Sequence, residues 1–215
     1  MTKEVSDTNI YSLIVDIPAF QKYEYKYING DQCYEVEVVP ESNRANYNFS
    51  DNRWIYIDSL SNDTTQVGAV LFNGSAPAGL TMVRFRINMA LESSISPNGV
   101  HVAGSFQGWD PQRDYLYSFS NSVHEWIAYL TTGTYEFKYY NGNAAANSET
   151  VPAPCVVNNN RSFNLTQDTV MTLLCYSSCN VCYPTGLNAA DEEAGISVYP
   201  NPTHSSLHIN FQGVA

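Results

Sequence analysis

Alternation of apolar and polar residues recurs along almost the whole chain and is the feature that most constrains its fold. In the clearest run, the apolar residues Val83, Phe85, Ile87 and Met89 alternate with Arg84, Arg86 and Asn88. Successive side chains of a strand point to opposite faces, so this period predicts half-buried strands. Similar strands are predicted at 10–17, 23–27, 34–38, 54–58, 67–72, 100–106, 125–130, 134–140 and 169–175. Many short strands separated by Asn-Gly and Pro-containing turns predict an all-β sandwich.

A weak internal repeat divides the chain. Residues 23–30 read Tyr-Glu-Tyr-Lys-Tyr-Ile-Asn-Gly, and residues 135–142 read Tyr-Glu-Phe-Lys-Tyr-Tyr-Asn-Gly. An aromatic strand precedes each segment, and a Val-Pro and then an Asn-Arg follow it, at Asn43-Arg44 and Asn160-Arg161. This similarity predicts two copies of one module.

The first copy is predicted to lack its first strands. Two strands, 83–89 and 100–106, precede the repeated portion of the second copy, whereas only ten residues precede Tyr11 in the first. We therefore expect tandem sandwiches, and both ends of the chain look cut, as in a fragment or an assembly unit. The expected divisions are an incomplete module at 1–79, a complete module at 80–184, an acidic linker at 185–195 and a further element at 196–215.

Four of the five cysteines lie close together. Cys155, Cys175, Cys179 and Cys182 fall among Asn, Ser and Pro residues, whereas Cys33 stands alone. The Cys179-Asn-Val-Cys182 spacing fits a zinc knuckle, a redox pair or a local disulfide. Because neither a second Cys-x-x-Cys nor a βαβ pattern accompanies it, disulfides are favoured over metal and redox chemistry. Disulfides in turn indicate an oxidising, extracellular compartment.

The charge of the chain excludes several partners. The net charge is −11, with ten basic residues that are scattered rather than clustered. Nucleic-acid binding needs clustered Lys and Arg, so neither nucleic acid nor an acidic membrane surface is an expected partner. No apolar run reaches the roughly 20 residues that span a bilayer. The start does not resemble a signal peptide, so the chain is either cytosolic or lacks its true beginning.

The end of the chain resembles a secretion signal. Gly195-Ile-Ser-Val-Tyr-Pro-Asn-Pro-Thr203, followed by Ser-Leu-His-Ile-Asn-Phe, is similar to the start of the C-terminal sorting domain of type IX secretion cargo. The likeness covers some 20 residues. It implies export across an outer membrane and a location outside the cell or on the bacterial cell surface.

Three segments within residues 81–183 form a further pattern: Val100–Pro111, Gly133–Gly142 and the cysteines at 175–182. In these segments the chain resembles the early-set immunoglobulin-like modules that bind glycogen and starch, which implies tandem immunoglobulin-like (early-set) β-sandwiches. In those relatives, the Trp of a Phe-x-x-Trp turn, a strand Lys and a second Trp form a ledge for a glucan. The resemblance carries over Trp109 and Lys138, with Tyr139 and Tyr140 nearby, but Ala144 falls at about the position of the second Trp.

Catalytic patterns are not found in the sequence. Glycoside hydrolysis needs two carboxylates about 5–10 Å apart. Glu35 and Glu37 are predicted on the solvent face of a strand, and Asp110, Asp114 and Glu125 are isolated. The four histidines lack metal-binding spacing, and neither a nucleophile elbow nor a phosphate loop occurs. We therefore expect no enzyme, no cofactor and no metal.

Short glycosylation patterns are dense. Asp58-Ser59-Leu60, Asp63-Thr64-Thr65 and Asp168-Thr169-Val170 fit the O-glycosylation pattern of bacteria that use type IX secretion. Five Asn-x-Ser/Thr sequons also occur, but in a bacterial product they carry less weight.

Two functions remain for this chain. One is a structural or adhesive extracellular protein whose modules associate with each other. Exposed edges in an incomplete sandwich are normally paired or covered, and a strand from residues 1–10, 196–200 or 206–211 could fill the gap. Donation between subunits in a head-to-tail sense would build a fibre. The other is a glycan-binding module that uses Trp109 and Lys138. The structural reading is preferred.

Overall fold

The computed structural model describes residues 1–5, 9–45, 50–57, 65, 67–120, 122–182, 196–199 and 208–211. It confirms the all-β fold class. The strands are β1 (Thr2–Lys3), β2 (Tyr11–Ser12), β3 (Gln21–Tyr25), β4 (Arg53–Ile57), β5 (Thr81–Asn88), β6 (Val100–Gly104), β7 (Asp114–Ser120), β8 (Val123–Leu130), β9 (Gly133–Asn141), β10 (Arg161–Leu165), β11 (Thr169–Val170), β12 (Leu174–Cys175), β13 (Ile196–Tyr199) and β14 (His208–Phe211).

One large sheet dominates the fold and nearly closes into a sandwich or barrel. Its order is β10-β9-β6-β7-β8-β5-β11, and β12 also pairs with β5. Strand β7 changes partner along its length: residues 114–116 pair with β6, and residues 117–120 pair with β8. The sheet therefore divides at β7, and β6 and β8 diverge from that point.

The core lies between the two halves of this sheet. The alternating residues Val83, Phe85 and Ile87 of β5 are fully buried, as their period predicts. The Phe85 ring lies 5.2 Å from that of Phe137 and 5.7 Å from that of Trp126. Burying an aliphatic or aromatic side chain of this size stabilises a fold by about 1.5–3 kcal/mol, so this cluster is a main source of stability.

The opposite face of β5 is also buried, which corrects the expectation of a solvent face. Arg84 is 0% exposed, and its guanidinium pairs with Glu125 of β8, which is equally hidden from solvent. Arg84 Nη1 also donates to the carbonyl oxygens of Ser42 and Arg44, at 3.0 and 2.7 Å. Glu125 is therefore buried rather than solvated, because the N-terminal residues around Ser42 and Arg44 cover this face. The ion pair with Arg84 compensates the buried charges.

Several predicted strands are shorter than the alternation suggested. Within 10–17 only β2 forms, within 34–38 and 67–72 single bridge residues pair, and 169–175 divides into β11 and β12. The prediction also missed β7 and β10. Strand β7 carries aromatic residues on one face and Leu116 on the other, so both of its faces pack.

Two compact units make up the chain, Met1–Val181 and Cys182–Ala215. In the second unit, β13 and β14 form an antiparallel hairpin with Val198 opposite Ile209. The tandem arrangement and the boundaries expected at 79, 184 and 195 stay predictions. Among the described residues, no helix has the length and apolar character needed to cross a membrane.

Replacing Arg84 tests how the N-terminal part is held. In Arg84→Met, Glu125 loses one of its two cationic partners and the carbonyls of residues 42 and 44 lose their donor. We expect a loss of about 3–5 kcal/mol in the free energy of unfolding, as for other broken buried pairs. Hydrogen exchange at residues 39–45 should accelerate.

Arg86→Met is the matched control, since Arg86 pairs with the same carboxylate but is partly exposed. It should cost less and leave exchange at residues 39–45 unchanged. Equal effects of the two variants would contradict the account.

Candidate functional site

Trp109 is the one residue of the expected glucan ledge that presents an aromatic ring at the surface. It ends the turn after β6, where its N–H donates to Gly104 O at 3.0 Å. Its side chain is 36% exposed, and its backbone has a φ of 62°. Such a φ is uncommon for a bulky residue, so the surrounding turn must hold the ring in place.

Tyr139 and Tyr140 do not fit the expected ledge. Tyr139 is 2% exposed, belongs to the core cluster and donates its hydroxyl to Arg86 O at 2.9 Å. Tyr140 is also buried. Lys138 lies opposite Ala103 in the β6–β9 pairing and is half-buried. The two tyrosine rings cannot stack on a sugar from solvent, which corrects their assignment as glycan contacts.

The four clustered cysteines are all disulfide-bonded, as the sequence predicts. Cys155 pairs with Cys179, and Cys175 and Cys182 are also disulfide-bonded. Cys33 is a free, exposed cysteine. In the described part of the chain, no cluster of three or more His, Cys, Asp or Glu side chains could hold a metal.

The O-glycosylation candidates are only partly described. Ser59 and Thr64 lie outside the described residues. Thr169 is half-buried in β11, and its hydroxyl donates to Gln167 O at 2.7 Å.

A buried ion pair organises the first copy of the repeat. Tyr27 N donates to Glu37 Oε1 at 2.9 Å, and Glu37 N donates to Tyr27 O at 3.0 Å. Arg53 donates two hydrogen bonds to the same carboxylate, from Nε to Oε1 at 2.9 Å and from Nη2 to Oε2 at 2.7 Å. We call these three residues the Tyr27 node. Glu37 is 1% exposed, which corrects its expected place on a solvent face.

The second copy contains the same arrangement, which we call the Tyr139 node. Tyr139 N donates to Glu149 Oε1 at 2.9 Å, and Glu149 N donates to Tyr139 O at 2.9 Å. Arg161 holds this carboxylate through Nε at 2.8 Å and Nη2 at 2.7 Å. Its guanidinium lies 5.7 Å from the Tyr139 ring, compared with 5.6 Å in the Tyr27 node.

The two nodes extend the repeat beyond the residues that sequence similarity revealed. Arg161 corresponds to Arg53, because each lies opposite the aromatic residue two positions before the node tyrosine. The predicted match of Asn160-Arg161 with Asn43-Arg44 is therefore wrong, and the corresponding pair is Asn52-Arg53. The signal was available: Glu37 and Glu149 follow their tyrosines at the same distance in the sequence.

The turns between tyrosine and glutamate also match. Gly30 and Gly142 have φ values of 144° and 130°, a region that favours glycine. Glu35 Oε2 accepts from Gln32 N at 2.8 Å in the first turn, and Asn147 Oδ1 accepts from Ala144 N at 3.1 Å in the second. Glu35 therefore closes the first turn, as Asn147 closes the second.

Burial and charge act oppositely on the node side chains. Burial alone would lower the pKa of Arg53 and Arg161, but the hydrogen bonds and charge of Glu37 and Glu149 raise it. Burial raises the pKa of Tyr139. Each node therefore holds a permanent cation beside a neutral tyrosine, which suits a structural role.

The nodes differ in what lies beside them. In the second copy, β6 pairs with β9, and Tyr140 is 6% exposed. In the first copy, β3 pairs only with β4 among the described strands, and the corresponding Ile28 is 56% exposed. Backbone N–H and C=O groups alternate in direction along a strand. The groups of Tyr27 point toward Glu37, so the groups of Ile28 point to the opposite side, which is the open edge.

The stretch before β3 is also exposed and apolar. Leu13, Ile14 and Val15 are 64%, 83% and 57% exposed. In the repeat, this stretch corresponds to Trp126–Leu130 of β8, which pairs with β5 over its whole length. The first copy therefore presents a strand-like sequence without a sheet.

A groove opens where the large sheet divides. It has a volume of about 1010 Å³ and runs between β4, the 106–115 segment and residues 126–130 of β8. Aromatic side chains supply much of its wall: Trp54, Tyr56, Phe106, Tyr115, Trp126 and Tyr129. The sequence reasoning missed this groove because it forms only when the first copy packs beside the second.

Comparisons with known proteins found no matching family model, no similar curated protein and no similar solved structure.

Thiol counting tests the cysteine assignment. With four cysteines in disulfides and Cys33 exposed, a thiol reagent should label one cysteine per chain, both natively and in denaturant without a reductant. Cys33→Ser should lower the count to zero. Three or more labelled thiols in the wild-type protein would show that a disulfide is missing.

Glu37→Gln tests the Tyr27 node. The neutral amide leaves the Arg53 guanidinium buried without its counter-charge. We therefore expect a loss of about 3 kcal/mol or more in the free energy of unfolding, measured by denaturant titration. The exposed Glu41 provides a control, since Glu41→Gln should change stability by less than about 0.5 kcal/mol. Similar losses in both variants would contradict the node's importance.

Proposed function

We propose that this chain is a non-catalytic, extracellular structural or adhesive protein whose copies assemble by strand complementation. One copy would supply an extended segment to an open sheet edge of another, as in other cases of β-augmentation. Repeated in a head-to-tail sense, this contact would build a fibre.

One observation carries the proposal: the Tyr27 node is built like the Tyr139 node but lacks the neighbouring strand. The position that β6 occupies beside β9 has no described occupant beside β3. An edge with unpaired backbone groups and apolar side chains is a template for pairing with another chain.

The disulfides support an extracellular setting. Such bonds persist in oxidising compartments and are rare in the cytosol. Export by type IX secretion remains a proposal that rests on the Tyr-Pro-Asn-Pro segment. The suggested donors 196–200 and 206–211 overlap β13 and β14, which pair with each other, so they would have to leave that hairpin before pairing elsewhere.

Glycan binding is the second candidate, and Trp109 is the observation that favours it. Its partly exposed ring offers one stacking face, and Lys138 lies on a strand next to β6, which leads into the turn. The buried Tyr139 and Tyr140 leave this surface with less aromatic area than a two-ring ledge. A soluble α-glucan should bind the wild-type protein and not Trp109→Ala if this candidate is correct.

Sedimentation velocity tests the assembly. The wild-type protein should form larger species as its concentration rises through the micromolar range. Ile28→Lys places a charge on the open edge, where charges discourage pairing, and should weaken association by about tenfold or more.

Tyr34→Lys is the matched control, because Tyr34 is 79% exposed but lies in the turn rather than on the edge. It should associate like the wild-type protein. A wild-type protein that stays monomeric throughout, and binds soluble α-glucan, would overturn the proposal.

A further inference from the structure

We propose that the groove beside β8 is a binding site for an extended peptide, and that its occupant is residues 13–17 of a second copy of the chain. This inference rests on the proposed self-assembly and names a donor and an acceptor for it. The acceptor is a second open edge, distinct from the edge of β3.

The groove exposes the edge of a strand. Strand β8 pairs with β7 only through residues 123–125, so residues 126–130 have no strand partner on that side among the described residues. All five residues from Trp126 to Leu130 line the groove. On its other side β8 pairs with β5, so it cannot turn away to bury its open edge.

The direction of the backbone groups follows from the bonds of β5. Arg84 O accepts from Met171 N at 2.9 Å, and Met82 N donates to Asp168 at 2.9 Å, so these two residues face away from β8. Because backbone N–H and C=O groups alternate in direction along a strand, those of Val83 point toward β8. Val83 lies opposite Ala128 there, so the hydrogen bonds between β5 and β8 form at this pair. The N–H and C=O of Ile127 and Tyr129 consequently face the groove, and no described residue pairs with them.

Two further donors on the groove wall lack acceptors. Arg53 Nη1 and Trp54 Nε1 are both buried, and neither has a hydrogen-bond partner within the part of the chain that the structure describes. Arg53 is 2% exposed, and both residues line the groove. Leaving buried donors unpaired is costly, so the groove favours an occupant that brings oxygen acceptors to them. Backbone carbonyls of an added strand meet that requirement and also pair with Ile127 and Tyr129.

Residues 13–17 match this site in pattern. One face of a strand over this segment would carry only apolar side chains, namely Leu13, Val15 and Ile17. The other face would carry Ile14 and Asp16, because successive side chains of a strand point to opposite faces. The aromatic wall of the groove suits that face. The same apolar side chains are exposed in their own chain, so they do not occupy their own groove. A second copy is therefore the source that the structure favours.

An unpaired strand edge favours a peptide over a sugar. A glycan could stack on the aromatic rings and accept from Trp54, but it would leave the alternating N–H and C=O groups of β8 without a ladder. An extended chain satisfies both, because its backbone donors and acceptors alternate with the same spacing.

The first experiment uses a synthetic peptide spanning residues 10–18, titrated into full-length Ile28→Lys protein to limit competing association. Fluorescence anisotropy should show saturable binding. A peptide carrying Val15→Asp should bind at least about tenfold more weakly, since a charge replaces an apolar contact. Trp54→Phe in the protein keeps the aromatic wall but removes the Nε1 donor, and should weaken binding by about 2- to 10-fold.

The second experiment places the donor substitution in the whole chain. Val15→Asp should reduce assembly in sedimentation velocity without changing thermal stability, since Val15 is 57% exposed. Leu91→Asp is the matched control, because Leu91 is 61% exposed, much like Val15, and lies in the loop after β5, outside every suggested donor segment. It should assemble like the wild-type protein.

The outcomes separate this inference from the proposed function. If the wild-type protein assembles but Val15→Asp assembles equally well and the peptide does not bind, the groove assignment is overturned and the proposed function stands. If the chain never assembles but the peptide binds in a Trp54-dependent manner, the groove assignment stands and the proposed function falls. A soluble α-glucan that displaces the peptide, or binds the groove in its place, would overturn the peptide assignment.

Discussion

The fold depends on two buried arginine–glutamate pairs, each tied to the backbone of a tyrosine. A carboxylate that accepts a backbone N–H while a guanidinium holds both of its oxygens leaves little of its charge uncompensated. Glu149 and Arg161 tie β9 and β10 to the segment that follows the Asn-Gly turn, and Arg161 also donates to Ser178 O at 2.9 Å, in the disulfide-rich end. A buried pair of this kind contributes specificity of register more than net stability, because moving one partner would leave the other buried without its counter-charge.

The two nodes share one arrangement of side chains but differ in the strands beside them, and this difference leads to the proposed function. Around the Tyr139 node, β6 and the opposing half of the sheet complete a core. Around the Tyr27 node, no described strand covers the corresponding edge, so Ile28 is exposed where Tyr140 is buried. The N-terminal part instead packs on the second copy, where Arg84 donates to the carbonyls of Ser42 and Arg44 and Tyr56 stacks on Tyr115 at 4.8 Å. That packing forms the groove, and among the described strands it leaves the edges of β3 and of residues 126–130 in β8 unpaired.

Sequence patterns predicted the strands far better than the surfaces between them. Alternation identified the core face of β5 correctly, because apolar period-two residues bury one face whatever lies on the other. It could not reveal that Arg84 and Glu125 are buried as well, since a charged residue facing solvent and one facing an ion pair look alike. The same ambiguity placed Glu37 on a solvent face. The groove could not be predicted, because it forms only when the first copy packs beside the second. The glucan ledge failed at Tyr139 and Tyr140 because a family likeness gives the strand but not which of its aromatic rings reach the surface.

Amide hydrogen exchange at residues 28 and 140, measured at increasing protein concentration, tests the central claim most directly. The account predicts that the Tyr140 amide, paired to β6, is protected at every concentration. The Ile28 amide should exchange rapidly in the dilute monomer and become protected as copies associate. Protection of the Ile28 amide in the monomer, or rapid exchange that persists in the assembled protein, would contradict the claim that one of two equivalent nodes is left open for a neighbouring chain.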